Sequence, residues 1–246
     1  MKVKIFMPKY MSNFKCIGPK CTDTCCLGWD INIDSNTYSK YINSTNSLKK
    51  LVQGKFKENK ENHDFFNKGL MILKEGHKCS FLNNNMLCDI HKNFGEENLC
   101  ITCKNYPRVF NIIDNIYEKS ALPSCPEVCN QAFLNKEKME FIEEELNIDE
   151  ETIEIKRIID VEAFEETDSL IKYFWEIRVS SINIMQLREF SIDERLIILE
   201  KFYNKIESLH KNKNFYDLEM LLEDFNEDLI DFANLSLDDF KKYLSF

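Results

Sequence analysis

Ten cysteines, all within the first 129 residues, constrain this chain more than any other feature. They stand at positions 16, 21, 25, 26, 79, 88, 100, 103, 125 and 129, and residues 130–246 hold none. The six glycines are segregated in the same way, the last being Gly95. A chain that places its thiols and turn-formers in one half predicts two parts, a cysteine-rich region over 1–130 and an acidic helical region over 131–246. The expected fold class is mainly α, with an irregular, metal-stabilised N-terminal half packed with a helical C-terminal half.

At 246 residues, with 43% apolar and 30% charged side chains, the chain is long enough and apolar enough for a sizeable core. No apolar run approaches the roughly 18 residues of a membrane span, so no membrane association is expected. The start, MKVKIFMPKYMSNFKC, is basic but lacks the apolar centre of a secretory signal, so the expected site of action is the cytoplasm. Residues 1–130 carry 18 Lys and Arg against 13 Asp and Glu, net +5; residues 131–246 carry 14 against 29, net −15. Such an acidic half argues against a nucleic-acid partner and reads as solvated helix faces.

Along the chain, residues 1–34 read as loop or short strand, with a strand expected around 29–33. Residues 36–74 look helical, broken by Gly54 and Gly69. Loops return over 76–129, with a short helix around 98–106 that places Cys100 and Cys103 on one face. Helices are expected over 131–146 and 168–188, and the stretch 147–167 reads as a linker or a strand at 152–155. Ser191 and Glu194 form a capping-box signature. Ile192, Leu196, Leu199, Tyr203 and Ile206 follow it as one helical stripe. Leu218, Leu221, Leu222, Phe225, Leu229 and Phe232 give another, and Ser236 with Asp239 opens a last short helix.

Ten thiols in a chain without an export signal are poor disulfide candidates, because the cytosol keeps thiols reduced. Metal ligation is the economical reading, since thiolates are soft ligands for zinc and for iron–sulfur iron. Only Cys100 and Cys103 have zinc-knuckle spacing, and the adjacent pair Cys25-Cys26 suits a cluster better, but zinc and unligated buried thiols stay open. His77 and His91 lie near Cys79 and Cys88 and read as loop or supporting histidines; His63 and His210 have no motif context. A phosphate-binding loop, a dinucleotide fingerprint and a nucleophile elbow are all missing from the sequence. With no glycine after Gly95, the second half cannot hold a Rossmann-type cofactor domain.

Four segments carry a resemblance. They are FKCIGPKCTDTCCLGWDINID (14–34), CSFLNNNMLCDIH (79–91), GEENLCITCKNYPR (95–108) and EKSALPSCPE (118–127). Together with MQLREFSIDERLIILEKFYNKI in the helical half, they closely resemble the flagellin lysine-N-methylase family, over about residues 7–210. The resemblance implies an enzyme that methylates lysine ε-amines of flagellin, using S-adenosylmethionine and a [4Fe–4S] cluster. By matching position it implies Cys16, Cys21, Cys25, Cys26, Cys79, Cys88, Cys103 and Cys125 as the cluster-region cysteines. Cys100 and Cys129 fall where no family cysteine is expected.

A lysine amine, with a reference pKa of about 10.4, is almost wholly protonated at neutral pH and has no lone pair to offer a methyl group. An enzyme must desolvate it or supply a base. Asp23, Glu118 and Glu127 flank cysteine motifs and are the candidate catalytic carboxylates; the plainer reading of each is a loop-capping residue. The rival class is a non-enzymatic module in which zinc or an iron–sulfur cluster staples an irregular fold and acidic helices dock a partner.

Overall fold

In the computed structural model, residues 2–61, 64–149, 151–225 and 227–244 are described. They contain, in order, β1 (Lys2–Pro8), α1 (Tyr10–Asn13), β2 (Asn32–Ile33), α2 (Ser35–Ile42), α3 (Asn46–Val52), β3 (Phe56–Glu58), β4 (Gly69–Met71), β5 (Leu73–Lys74), β6 (Lys78–Cys79) and α4 (Asp89–Phe94). There follow α5 (Ile101–Asn105), β7 (Arg108–Ile113), β8 (Ile116–Ala121), α6 (Pro126–Ala132), β9 (Phe141–Asn147), β10 (Ile155–Ile159), α7 (Phe174–Met185), α8 (Ile192–Lys211), α9 (Phe215–Asp224) and α10 (Leu229–Leu244). Two compact units divide between Ile159 and Asp160, not at residue 130. Residues 131–159 therefore belong with the cysteines rather than with the helices.

The first unit is not mainly α. Its largest element is a five-stranded sheet in the order β10-β7-β8-β1-β9, with β1–β8 and β7–β10 parallel and the other neighbours antiparallel. β1, expected to be loop or short strand, lies inside this sheet. Its alternation is plain once seen: Ile5 and Met7 are buried while Lys2 and Lys4 face water. β9 replaces the helix expected over 131–146. Its Glu-rich sequence favours a helix locally, but seven register pairs with β1 hold it extended. Lys2 and Lys4 pair across that ladder with Glu145 and Glu143, and Phe6 stacks on Phe141 at 5.4 Å. The strand expected at 152–155 falls slightly later, as β10.

Two smaller sheets, β2-β4-β3 and the hairpin β5-β6, complete this unit. The helix expected over 36–74 is real only for α2 and α3; beyond Gly54 the chain turns into strands. Gly69 is needed where β4 passes Tyr38, since a Cβ there would lie 2.5 Å from the ring. One core gathers Met7, Met11, Phe14, Cys125 and Val128 between β1, α1 and α6. A second gathers Ile31, Ile33, Tyr41, Phe81 and Ile90 with Cys26, Cys79 and Cys100.

The second unit is helical. α8 opens with the capping box read from the sequence: the Ser191 hydroxyl accepts the Glu194 N–H, and the Glu194 carboxylate accepts the Ser191 N–H. The face it buries overlaps the expected one only in part, at Ile206 and the half-buried Leu199. Ile198, Phe202, Ile206 and Leu209 are buried, whereas Ile192, Leu196 and Tyr203 are each about half exposed. Phe202 sits among Phe225 and Phe232, and this aromatic contact outweighs what the smaller aliphatic stripe could bury. Ser236 opens no helix; it is buried within α10. No described helix is long and apolar enough to cross a membrane. Residues 1–159 carry 22 Lys and Arg against 22 Asp and Glu, and residues 160–246 carry 10 against 20, so the entire net charge of −10 lies in the second unit.

Candidate metal centre

All ten cysteines are free thiols. The eight implied by the resemblance do not form one group, and backbone pairing explains which come together. The Cys79 N–H donates to the Cys26 carbonyl at 2.9 Å, and Leu27 bridges to Lys78. Leu82 bridges to Cys88, and the Asp89 N–H donates to the Phe81 carbonyl at 2.8 Å. These bonds lay the Cys25-Cys26 loop against the β5–β6 hairpin and fold Cys88 back onto it.

As a result the Cys26 thiol interacts with those of Cys25, Cys79 and Cys88. The four share protons unequally. Contact with the Cys26 thiol lowers Cys25 from 9.0 to about 7 and Cys88 from 9.0 to about 6, and it lowers Cys79 too. Cys26, the donor in these contacts, is pushed far above the thiol range, with burial adding to the effect. Cys88 is helped further by its place just before α4, where the N–H groups of His91 and Ile90 face its sulfur.

Cys100 and Cys103 form a second pair, at the N-cap and first turn of α5. Contact with Cys100, then burial, holds the Cys103 thiol protonated, and the charges of Cys88 and Cys79 reach it. Cys100, fully buried, is thus a neighbour of the first group. Cys125 stands at the N-cap of α6, raised chiefly by burial, within reach of the charges of Cys21 and Cys16. Cys129, one turn on, donates its S–H to the Pro123 carbonyl at 2.8 Å.

Asp34 holds this arrangement in place, and the sequence reading passed over it. It is 1% exposed. Its Oδ1 accepts the Thr37 N–H at 2.8 Å, capping α2, and its Oδ2 accepts the Ile101 N–H at 2.9 Å, capping α5. One carboxylate thus ties the Cys100–Cys103 helix to an element 67 residues away. Tyr41 adds a second tie through its hydroxyl to the Asn98 carbonyl at 2.7 Å. Burial and the surrounding charges of Cys100, Cys103, Cys88 and Asp34 keep that phenol neutral.

The candidate carboxylates are scattered. Asp23 lies in the exposed loop before Cys25 and accepts the Thr24 N–H at 2.7 Å. Glu127, in the first turn of α6, accepts from Gln131 at 2.6 Å. Glu118 is buried in β8, opposite Phe6 and Asn111. Of the histidines, His77 gives its carbonyl to the Gly28 N–H, His210 meets the Asp168 carbonyl in the second unit, and His63 lies outside the described residues.

The donor chemistry of the Cys25, Cys26, Cys79 and Cys88 group fits a soft metal: four uncrosslinked thiols, three with their protons already loosened. Among the described residues, no three His, Cys, Asp or Glu side chains yet stand in coordinating positions. Ligation therefore requires Cys26 to give up its proton and the sulfurs to draw together.

Comparison with known proteins bears on the second unit and on the chain at large. Residues 178–245 match the sequence model of the FliB lysine N-methylase C-terminal domain. The chain is 27% identical over 139 residues to the flagellar biosynthetic protein FliU of Salmonella muenchen, a match covering 56% of this chain and 82% of that protein. It is 27% identical over 139 residues to the lysine-N-methylases of Salmonella choleraesuis and Salmonella typhimurium, covering 34% of each. The match thus spans about a third of the length of those two relatives. No solved structure shows significant similarity. The helices from Arg178 onward are thus similar to the C-terminal domain of lysine N-methylases.

Proposed function

We propose that this chain is a protein lysine N-methyltransferase acting in the cytoplasm on lysine ε-amines of flagellin, with S-adenosylmethionine as methyl donor and a [4Fe–4S] cluster bound in the first unit. The observation that carries the reading is the similarity to lysine-N-methylases together with the match to their C-terminal domain. The gathering of Cys25, Cys79 and Cys88 around Cys26 supports the metal. Those four would hold the cluster, with zinc as the alternative metal. Cys16, Cys21, Cys103 and Cys125 stand as further ligands or as a second site. When bound, such a cluster supplies an iron able to anchor the amino-acid end of the methyl donor.

This chain's own residues must bind a lysine side chain and take its proton. Asp23 is the best placed of the three carboxylates. Glu118 is enclosed in a sheet and Glu127 is engaged by Gln131, whereas Asp23 is exposed beside the Cys25 loop. An exposed carboxylate suits holding the ammonium and passing its proton to water.

Anaerobically purified protein should contain iron and sulfide and should transfer labelled methyl groups from S-adenosylmethionine to unmodified flagellin. In a flagellated host, deleting the gene should remove the mass of the added methyl groups from flagellin lysines. Flagellin that keeps its full methyl pattern in the deletion strain would overturn the substrate. A colourless protein with stoichiometric zinc would overturn the cluster.

A further inference from the structure

We infer that Trp29, Tyr106 and Asp23 form a recognition face for an alkyl onium cation beside the Cys25 loop. The Trp29 ring stacks on Tyr106 with centroids 5.6 Å apart and 30° between planes. Both rings are fixed by their polar ends. The indole N–H donates to the Cys25 carbonyl at 2.8 Å, and the Tyr106 hydroxyl donates to Ser124 at 3.1 Å. Trp29 packs on the core that contains Cys26, and Tyr106 packs on the core that contains Cys125, so the stack stands where the two thiol groups approach each other. Each residue stays partly exposed.

The electrostatics around the stack are one-sided. Burial is the main influence on Tyr106, and the charges of Cys125, Cys25 and Asp23 add to it. Among the described residues, no Lys, Arg or His pairs with Asp23, and no cation stands over either ring. Two cations of this unit stand over other rings: Arg108 over Phe14 and Lys55 over Phe81. A fixed aromatic pair with an adjoining carboxylate and no resident cation has the chemistry that recognises ammonium or sulfonium groups. A neutral ligand would leave Asp23 without a counter-ion and would gain only the apolar contact.

The identity of the cation rests on the methylase reading, which offers two sources: the ε-ammonium of a substrate lysine and the sulfonium of the methyl donor. The existence of the face does not rest on that reading. The chain has two tryptophans, Trp29 and Trp175, so a Trp175→Phe background isolates the fluorescence of Trp29. Three probes are titrated against that protein: a lysine-bearing peptide, its norleucine counterpart and S-adenosylmethionine. Saturable quenching by the lysine peptide but not by the norleucine peptide supports the face and assigns it to substrate. Quenching by S-adenosylmethionine alone supports it and assigns it to the donor. Asp23→Asn, a change on an exposed loop that folding tolerates, should weaken the effective probe by about tenfold, and Trp29→Leu should raise KM for that ligand more than it lowers kcat. Equal binding of the norleucine peptide, or no response to any probe in protein that still transfers methyl groups, overturns the inference while leaving the methylase reading standing. Onium quenching in a protein that transfers no methyl group has the opposite meaning.

Discussion

Cys26 lies in a turn and Cys129 inside α6, and the fold gives the two different chemistry. Cys26 contacts three other thiols, whereas Cys129 spends its proton on a carbonyl. Cys26→Ser should therefore abolish metal loading, and Cys129→Ser should leave it unchanged, as measured by iron and zinc content after anaerobic purification. The thiols also set a pH dependence for the metal-free protein. Cys25 and Cys88 deprotonate at about 7 and about 6 in the fold, against 9.0 ordinarily. The unfolded chain binds more protons between those values, so their contribution is fully present above 9.0 and is lost as pH falls through 7 and 6. Cys26 is raised, so its contribution is present below 9.0 and is lost as pH rises further. Urea unfolding of metal-free protein should show greatest resistance near pH 9, and Cys26→Ala should flatten the profile. A steady loss of stability from pH 6 upward would contradict this account of the thiols. Spacing alone revealed that soft ligands were abundant. It could not reveal which thiols meet, because that depends on the β5–β6 hairpin. Asp34 was legible as a cap for α2, but its second bond, to Ile101, crosses a sequence gap that no local signal spans.

Single elements were readable where they are governed by their own residues. The capping box at Ser191 is a contact over three residues, and the structure forms it as the sequence indicated. The buried face of α8 was only partly legible because RLIILEKFYNKI offers two apolar stripes that share Ile206, and only the neighbouring helices decide between them. Phe202→Ala should destabilise the second unit by about 3–5 kcal/mol, while Leu196→Ser should change it by under about 0.5 kcal/mol. Ser191→Ala should cost about 1 kcal/mol. Chemical denaturation followed by helical circular dichroism checks all three, and a large loss from Leu196→Ser would restore the stripe expected from the sequence. β1 and β9 were illegible for the opposite reason. Their partners lie more than a hundred residues apart, and β9's glutamates favour a helix until the β1 ladder is available.

At the scale of the whole chain the two units are stabilised by different means. The second has a continuous apolar core running from Tyr173 to Leu237 and contains no cysteine. The first divides its buried side chains between separate clusters, one of which includes Cys26, Cys79 and Cys100 as core members. If the thiol-bearing cluster relies on a bound metal for its cohesion, removing that metal should act on one unit alone. Chelation under anaerobic conditions should abolish protection of the backbone N–H groups of Cys79 and Asp89, which join the hairpin to the cysteine loops. Protection of α8 should persist, because Ile198, Phe202 and Ile206 are buried by apolar contacts that owe nothing to thiols. A fragment of residues 160–246 should likewise fold without metal. It carries the chain's whole net charge of −10, so added salt should raise its unfolding midpoint by screening self-repulsion. Hydrogen exchange on the full chain, before and after chelation, separates the outcomes. Loss of protection in both units together would show that the metal stabilises the molecule as one cooperative body, whereas loss confined to residues before Asp160 would show that the cysteine half alone depends on it.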